Sequence, residues 1–236
     1  MFKLAIIPAR GGSKGIKNKN IRKINNKTLL SYTIASAKSS KMFDDIIVST
    51  DSEKIAIIAK NEGITVSNLR PKRFSQDSTS TEDVIKYELN MLSKHSIIPD
   101  IITILQPTSP IRNPSIIRKS IKLLENSHST SVISVIKIKT HPYFSFYYPK
   151  NYLKPMNTNF EKFHQRQKYP DLYFPSGSVY TFWQKTLEKY DSIYGPRIKP
   201  IFENEITGLD INTKFDLFVA DMYFRNWSDF INNQKF

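Results

Sequence analysis

The chain contains no cysteine among its 236 residues, and that absence removes disulfides, thiolate nucleophiles, Cys-ligated zinc and iron–sulfur clusters together. Any chemistry must run on oxygen, nitrogen or a metal held by oxygen, and a reducing, cytoplasmic compartment is expected. No apolar run approaches the roughly 18 residues that a membrane span needs, and the stretch Leu4 to Ile7 stops at Pro8, too short for the core of a signal peptide. No membrane partner is expected. Carboxylates are missing from the first 43 residues, which hold ten Lys and Arg; the whole chain carries +14, but everything from Asp44 onward carries only +4. A whole-surface nucleic-acid binder has no need of that asymmetry, so an acidic small-molecule partner near the N-terminus is expected and nucleic acid is not. With 39% hydrophobic and 12% aromatic residues, the chain can bury a real core.

The hydrophobic pattern alternates between strand and helix periods. Strands are predicted at Lys3–Pro8, Asp45–Thr50, Ile64–Val66, Asp100–Leu105 and Ser131–Ile136, with helices at Leu29–Ser40, Ser52–Asn61, Thr81–Lys94 and Pro114–Asn126. Near-continuous Ile and Val in the strands imply an α/β fold, a doubly wound and mostly parallel sheet covered on both faces. Between His141 and Pro175 aromatic residues crowd without a helical period, which reads as an inserted excursion. A strand resumes at Ser178–Trp183, and a last helix is expected at about Thr213–Trp227. The chain thus divides into a nucleotide-binding core over 1–140, a lobe over 141–177 and a return to the core over 178–236.

Ligands of such sheets sit beyond the carboxyl ends of the strands. The first such loop is Pro8-Ala-Arg-Gly-Gly-Ser-Lys-Gly-Ile-Lys-Asn-Lys-Asn20, where glycines admit phosphate oxygens to backbone N–H groups and Arg and Lys neutralise their charge. It is neither a Walker loop nor the Gly-x-Gly-x-x-Gly dinucleotide fingerprint; a triphosphate cradle or a flexible basic turn are its two readings. Gln106-Pro-Thr-Ser-Pro-Ile-Arg112 follows a predicted strand, and Leu209-Asp-Ile-Asn-Thr-Lys-Phe-Asp216 precedes the last helix.

These three segments, in this order, resemble the signatures of the CMP-sialic acid synthetase family, the cytidylyltransferases of ulosonic acids. The resemblance implies a Rossmann-like nucleotidyltransferase fold and Mg²⁺-dependent attack of a sugar acid's anomeric hydroxyl on the α-phosphorus of CTP. It places Arg10, Lys14 and Lys19 on the phosphates as the catalytic cations, with Ala9, Gly11, Gly12, Ser13 and Asn20 lining the nucleotide. Arg70, Ser78 and Ser80 resemble the stretch that holds cytosine and ribose, although Ser80 and Thr81 also read as ordinary helix-start residues. Gln106, Thr108 and Ser109 are implied in the sugar pocket. Kdo-type relatives carry an acidic Gly-Asp-Glu-Pro stretch there, so Pro-Thr-Ser-Pro favours a sialic, legionaminic or pseudaminic acid. Asp210 is the implied Mg²⁺ carboxylate; Asn212 replaces the family's usual second Asp and is either an amide ligand or a cap for the last helix.

Arg166-Gln167 and the Pro175-Ser-Gly-Ser-Val-Tyr180 run are similar to the family segment that crosses to a second subunit, with Ser176 where Asn is common. A homodimer offering Arg166 and Gln167 to a partner's sugar site is implied, and a lobe folded back on its own subunit is the alternative. No residue is assigned as general base. The competing functions are a related nucleotidyltransferase with another sugar or NTP, including a CMP-Kdo synthetase, and a nucleic-acid-binding module, which predicts steeply salt-dependent oligonucleotide binding.

Overall fold

The computed structural model describes residues 1–13, 15–64, 66, 68–156 and 170–233. Strand β1 (Lys3–Pro8) leads through the Gly-rich loop and a 3-10 turn at Lys19–Ile21 into a short hairpin, β2 (Lys23–Ile24) and β3 (Lys27–Thr28). There follow α1 (Leu29–Ser40), β4 (Asp45–Ser49), α2 (Glu53–Asn61), α3 (Thr81–Ser93), β5 (Ile101–Ile104), α4 (Pro114–Glu125) and β6 (Ser131–Lys137). A second hairpin, β7 (Phe146–Tyr147) and β8 (Lys154–Pro155), precedes β9 (Tyr173–Trp183), α5 (Gln184–Tyr190), β10 (Ile198–Phe202) and α6 (Lys214–Asn233).

Six strands form the central sheet in the order β10-β6-β9-β5-β1-β4. All pair in parallel except β9, which runs against both β5 and β6. Strand β1 shows why both faces are covered. Its alternate residues Ala5 and Ile7 pack with Leu30 and Ile34 of α1 and Ile117 and Ile121 of α4, while Leu4 and Ile6 pack with Ile85 of α3 and Phe182 of β9. Each fully buried Ile or Leu contributes about 1.5–3 kcal/mol against its exposed state. Local chemistry sets the helix starts: the Thr28 hydroxyl accepts from the Ser31 N–H at the head of α1, and Asn113 caps α4 ahead of Pro114. A third apolar cluster, Ile16, Ile24, Leu29, Ile111, Ile211 and Ala220, joins the Gly-rich loop to α6.

Three expectations change. Ile64 and Val66 do not form a strand; Gly63, at φ +70°, turns the chain out of α2, and the Ile64 N–H closes the helix on the Ala59 carbonyl at 2.9 Å. Strand β9 begins at Tyr173, inside the stretch read as the excursion, because Tyr173 to Pro175 pair with Lys137 to Val135. Helix α6 starts at Lys214 and continues to Asn233, beyond the expected end. The aromatic positions Phe160, Phe163 and Tyr169 lie outside the described residues. In the described part of that stretch Phe146, Tyr147, Tyr148, Tyr152 and Phe174 are exposed. Among the described residues no helix is long and apolar enough to cross a membrane.

Candidate active site

The carboxyl ends of β1 and β5 open on a cleft of about 430 Å³ lined by the Gly-rich loop, the segment over 70–81, the turn after β5 and the loop before α6. Of the expected site residues, Arg10, Ser13, Lys19, Asn20, Arg70, Ser80, Gln106, Thr108, Asp210 and Asn212 face it. A larger hollow of about 720 Å³, at the opposite end of the sheet beside Thr130, Thr186 and Arg197, gathers none of them.

The Gly-rich loop is held by its own polar groups. Ala9 is fully buried and donates its N–H to the Ser49 carbonyl at 2.9 Å, and the Asn20 amide donates to the Arg10 carbonyl at 2.9 Å. The Gly11 N–H, expected to serve phosphate, donates instead to Asp51 at 2.8 Å; a Cβ on Gly11 would stand 2.9 Å from Ser52 Cβ, so that close approach requires glycine. Gly12 is exposed with open space around it, and Lys14 lies outside the described residues. Arg10 pairs with Asp77 at 2.7 Å, from the loop ahead of α3.

Lys19 is half-buried and anchored across the cleft, its ammonium donating to the Ile211 carbonyl at 2.7 Å and the Asn212 amide oxygen at 3.2 Å. Burial pulls it below the usual lysine range, with Arg10 adding to the shift and Asp210 and Asp216 opposing it. Arg70 is buried and donates to Ser75 Oγ and Ser49 Oγ, each at 3.1 Å, and the Ser49 hydroxyl in turn donates to the buried Glu88 carboxylate. Burial lowers the guanidinium, Asp51 and Glu88 work the other way, and burial likewise raises Glu88. The Ser80 hydroxyl caps α3 by accepting from the Asp83 N–H at 3.0 Å while also lining the cleft. Ser78 is exposed and outside the lining.

On the other side stand Gln106 and Thr108. Ser109 is fully buried behind them, its hydroxyl directed at the Ser176 carbonyl at 3.4 Å. Arg166 and Gln167 lie outside the described residues.

The loop before α6 decides what a metal meets. Asp210 Oδ2 accepts from the Asn212 amide nitrogen at 2.7 Å, whereas Asp210 Oδ1 is buried without a partner. Asn212 therefore presents its nitrogen to Asp210 and its oxygen to Lys19 in this structure. Asn212 does not cap the helix. Thr213 does, its Oγ accepting from the Asp216 N–H at 3.2 Å while Asp216 accepts from the Thr213 N–H at 2.7 Å. Among the described residues no three His, Cys, Asp or Glu cluster as a metal cage. A single free carboxylate oxygen suits Mg²⁺, which takes one or two protein carboxylates and fills its shell with phosphate and water.

Asp51, Asp77 and Glu88 belong to this arrangement although none was assigned a role from sequence.

The cytidylyltransferase family model matches residues 4–193. The CMP-N,N'-diacetyllegionaminic acid synthase of Legionella pneumophila is 35% identical over 223 residues, covering 90% of this chain and 92% of that protein. The pseudaminic acid cytidylyltransferase of Campylobacter jejuni is 29% identical and covers 95% and 97%. In fold, a CMP:2-keto-3-deoxy-manno-octonic acid synthetase solved with CTP superposes with a TM-score of 0.71 over 96% of this chain and 99% of that one, at 14% identity. With the match running from residue 4 in β1 to residue 193, beyond α5, this chain belongs to the cytidylyltransferase family.

Proposed function

We propose that this protein transfers CMP from CTP to a nine-carbon ulosonic acid of sialic, legionaminic or pseudaminic type, releasing pyrophosphate. The observation that carries the reading is the full-length similarity to synthases named for legionaminic and pseudaminic acids, joined to a cleft that divides a cationic half from a neutral amide and hydroxyl half. In the reaction the anomeric oxygen bonds to the α-phosphorus, and the bond from that phosphorus to the oxygen bridging to the β-phosphate breaks. The electron pair leaves with pyrophosphate. In-line transfer of this kind depends on positioning and on neutralising developing negative charge.

Arg10 and Lys19, which line the cleft, are assigned that work together with Lys14 of the same loop. Arg10 must exchange Asp77 for phosphate oxygens as CTP enters. Arg70, oriented by Ser49 and Ser75, reads the acceptors of cytosine, and Gln106 and Thr108 read the hydroxyl and acylamino groups of the sugar acid. Mg²⁺ held by Asp210 would supply further neutralisation of the triphosphate. The exposed aromatics of the β7–β8 hairpin support a homodimer in which Arg166 and Gln167 serve a partner's sugar site, and a cytoplasmic location follows from the need for CTP. The test is a substrate panel: with CTP and Mg²⁺, pyrophosphate release is expected with sialic, legionaminic or pseudaminic acid. Release with none of these but with Kdo would transfer the reading to the related nucleotidyltransferase.

A further inference from the structure

Arg112 ends the segment that begins at Gln106, yet it does not line the cleft and forms no ion pair among the described residues. It is 4% exposed. Its Nε donates to the Ser178 carbonyl at 2.6 Å and its Nη2 to the Gln106 carbonyl at 2.6 Å, while Nη1 is buried without a partner. Burial pulls the guanidinium down to about 10, with Glu203 opposing, so it stays charged at neutral pH. A buried charge with one donor unused is costly to keep, and its return here is geometric: a rigid planar fork spans one carbonyl 6 positions away and another 66 positions away, which the point charge of a lysine cannot do.

What the fork joins is the floor of the sugar side. Ser176 to Val179 form a bulge in β9, where the register with β6 jumps between Ile133–Tyr180 and Val135–Pro175. Gly177 sits in that bulge at φ +78°, and a Cβ there would stand 2.8 Å from Gln106 Oε1 and 3.7 Å from Asp210 Cγ. The Gln106 amide thus rests directly on the bulge beside Asp210, and the Ile211 N–H ties the same turn to the metal loop through the Thr108 carbonyl at 2.8 Å. The cationic half hangs largely elsewhere, Arg10 on the loop after β1 and Arg70 on the Thr50 carbonyl; Lys19, also from the β1 loop, reaches across to the Ile211 carbonyl.

We propose that Arg112 is a positioning residue for the acid half of the cleft: by clamping the Gln106 and Ser178 carbonyls together it sets where the Gln106 amide stands relative to Asp210. The inference rests on the ulosonic-acid reading above and extends it to a residue that touches no substrate. A misplacement of about 1 Å at a reacting site lowers rates by up to about 100-fold, so Arg112→Lys is expected to lower kcat/KM for the sugar acid by about 10- to 100-fold. CTP affinity, measured by calorimetry, is expected to change less than about twofold.

Gly177→Ala reaches the same contact from the opposite side and is expected to give the same split, which keeps the test open if Arg112→Lys does not fold. In a Gln106→Ala background the effect of Arg112→Lys should collapse to under about twofold, because two residues acting through one contact are not additive. The inference is overturned if either folded variant keeps wild-type kcat/KM for the acid, if CTP affinity falls in step with it, or if the Arg112 and Gln106 effects multiply. A wild type that releases no pyrophosphate with any ulosonic acid refutes the reading underneath, and the inference with it.

Discussion

Asp216→Ala tests how the loop that carries Asp210 is held. The carboxylate accepts from the Asn212 N–H at 3.0 Å, the Thr213 N–H at 2.7 Å and the Thr213 hydroxyl at 2.9 Å, and its own N–H is capped by Thr213. Losing one side of such a cap costs about 0.5–2 kcal/mol, and each kcal/mol lowers Tm by roughly 2–4 °C in a chain of this size. Burial works against the charged form, but the donors at Asn212 and Thr213, aided by Lys19, outweigh it and leave Asp216 below the usual carboxylate range. A depressed carboxylate stabilises the fold above its unfolded value, near about 3.9, and that contribution disappears as pH falls through the folded value. Thermal melts should therefore separate wild type from variant at pH 7, and the gap should begin to narrow near about pH 4, where the unfolded carboxylate takes up its proton, and close only below the folded value. Equal Tm at pH 7, or an undiminished gap in acid, refutes the capping argument.

Lys19→Met removes a charge from the phosphate side without emptying a packed core; a loss of about 10²–10³ in kcat is expected, typical for deleting one transition-state donor, with Tm changed by a few degrees at most. Asp77→Asn frees Arg10 from a partly exposed pair worth about 0.2–1 kcal/mol, so KM for CTP should fall by about 1.4- to 5-fold; a rise would mean that Asp77 contacts the nucleotide. Asn212→Asp replaces a donor to Asp210 with a second carboxylate, so the metal-free protein should melt lower than wild type and gain more Tm on adding Mg²⁺. An unchanged Mg²⁺ response would remove position 212 from the metal's surroundings.

The helices α1 and α4 and the strands β1, β4 and β6 were legible because their residues carry local signals: a cap, a Pro at the first helical position, or an unbroken run of Ile and Val. Strand β10 carried none, for Ile198, Lys199 and Phe202 are exposed on the sheet edge and Pro200 interrupts the run. Helix α5 buries only Thr186 and Leu187, too little to show a period. Ile64 was misread because an apolar residue after Gly63 fits a strand as well as the close of a helix. At the site, Arg10, Lys19, Asn20, Gln106 and Asp210 stood inside contiguous motifs. Arg112 and Gly177 stood inside such motifs too but carried no sign of their partners, and Glu88 and Glu203 lay outside them, since Ser49 meets Glu88 across 39 positions and Ser176 meets Glu203 across 27. Only the sheet order brings such partners together.

The central claim is the transfer of CMP to an ulosonic acid, and phosphorus NMR of the purified protein with CTP, Mg²⁺ and each acid in turn tests it most directly. The account predicts that, with a sialic, legionaminic or pseudaminic acid, the triphosphate signals give way to pyrophosphate and one sugar phosphodiester in equal amounts, and that CTP persists when no acid is present. CTP left intact with every acid, or broken down equally fast without one, would contradict it.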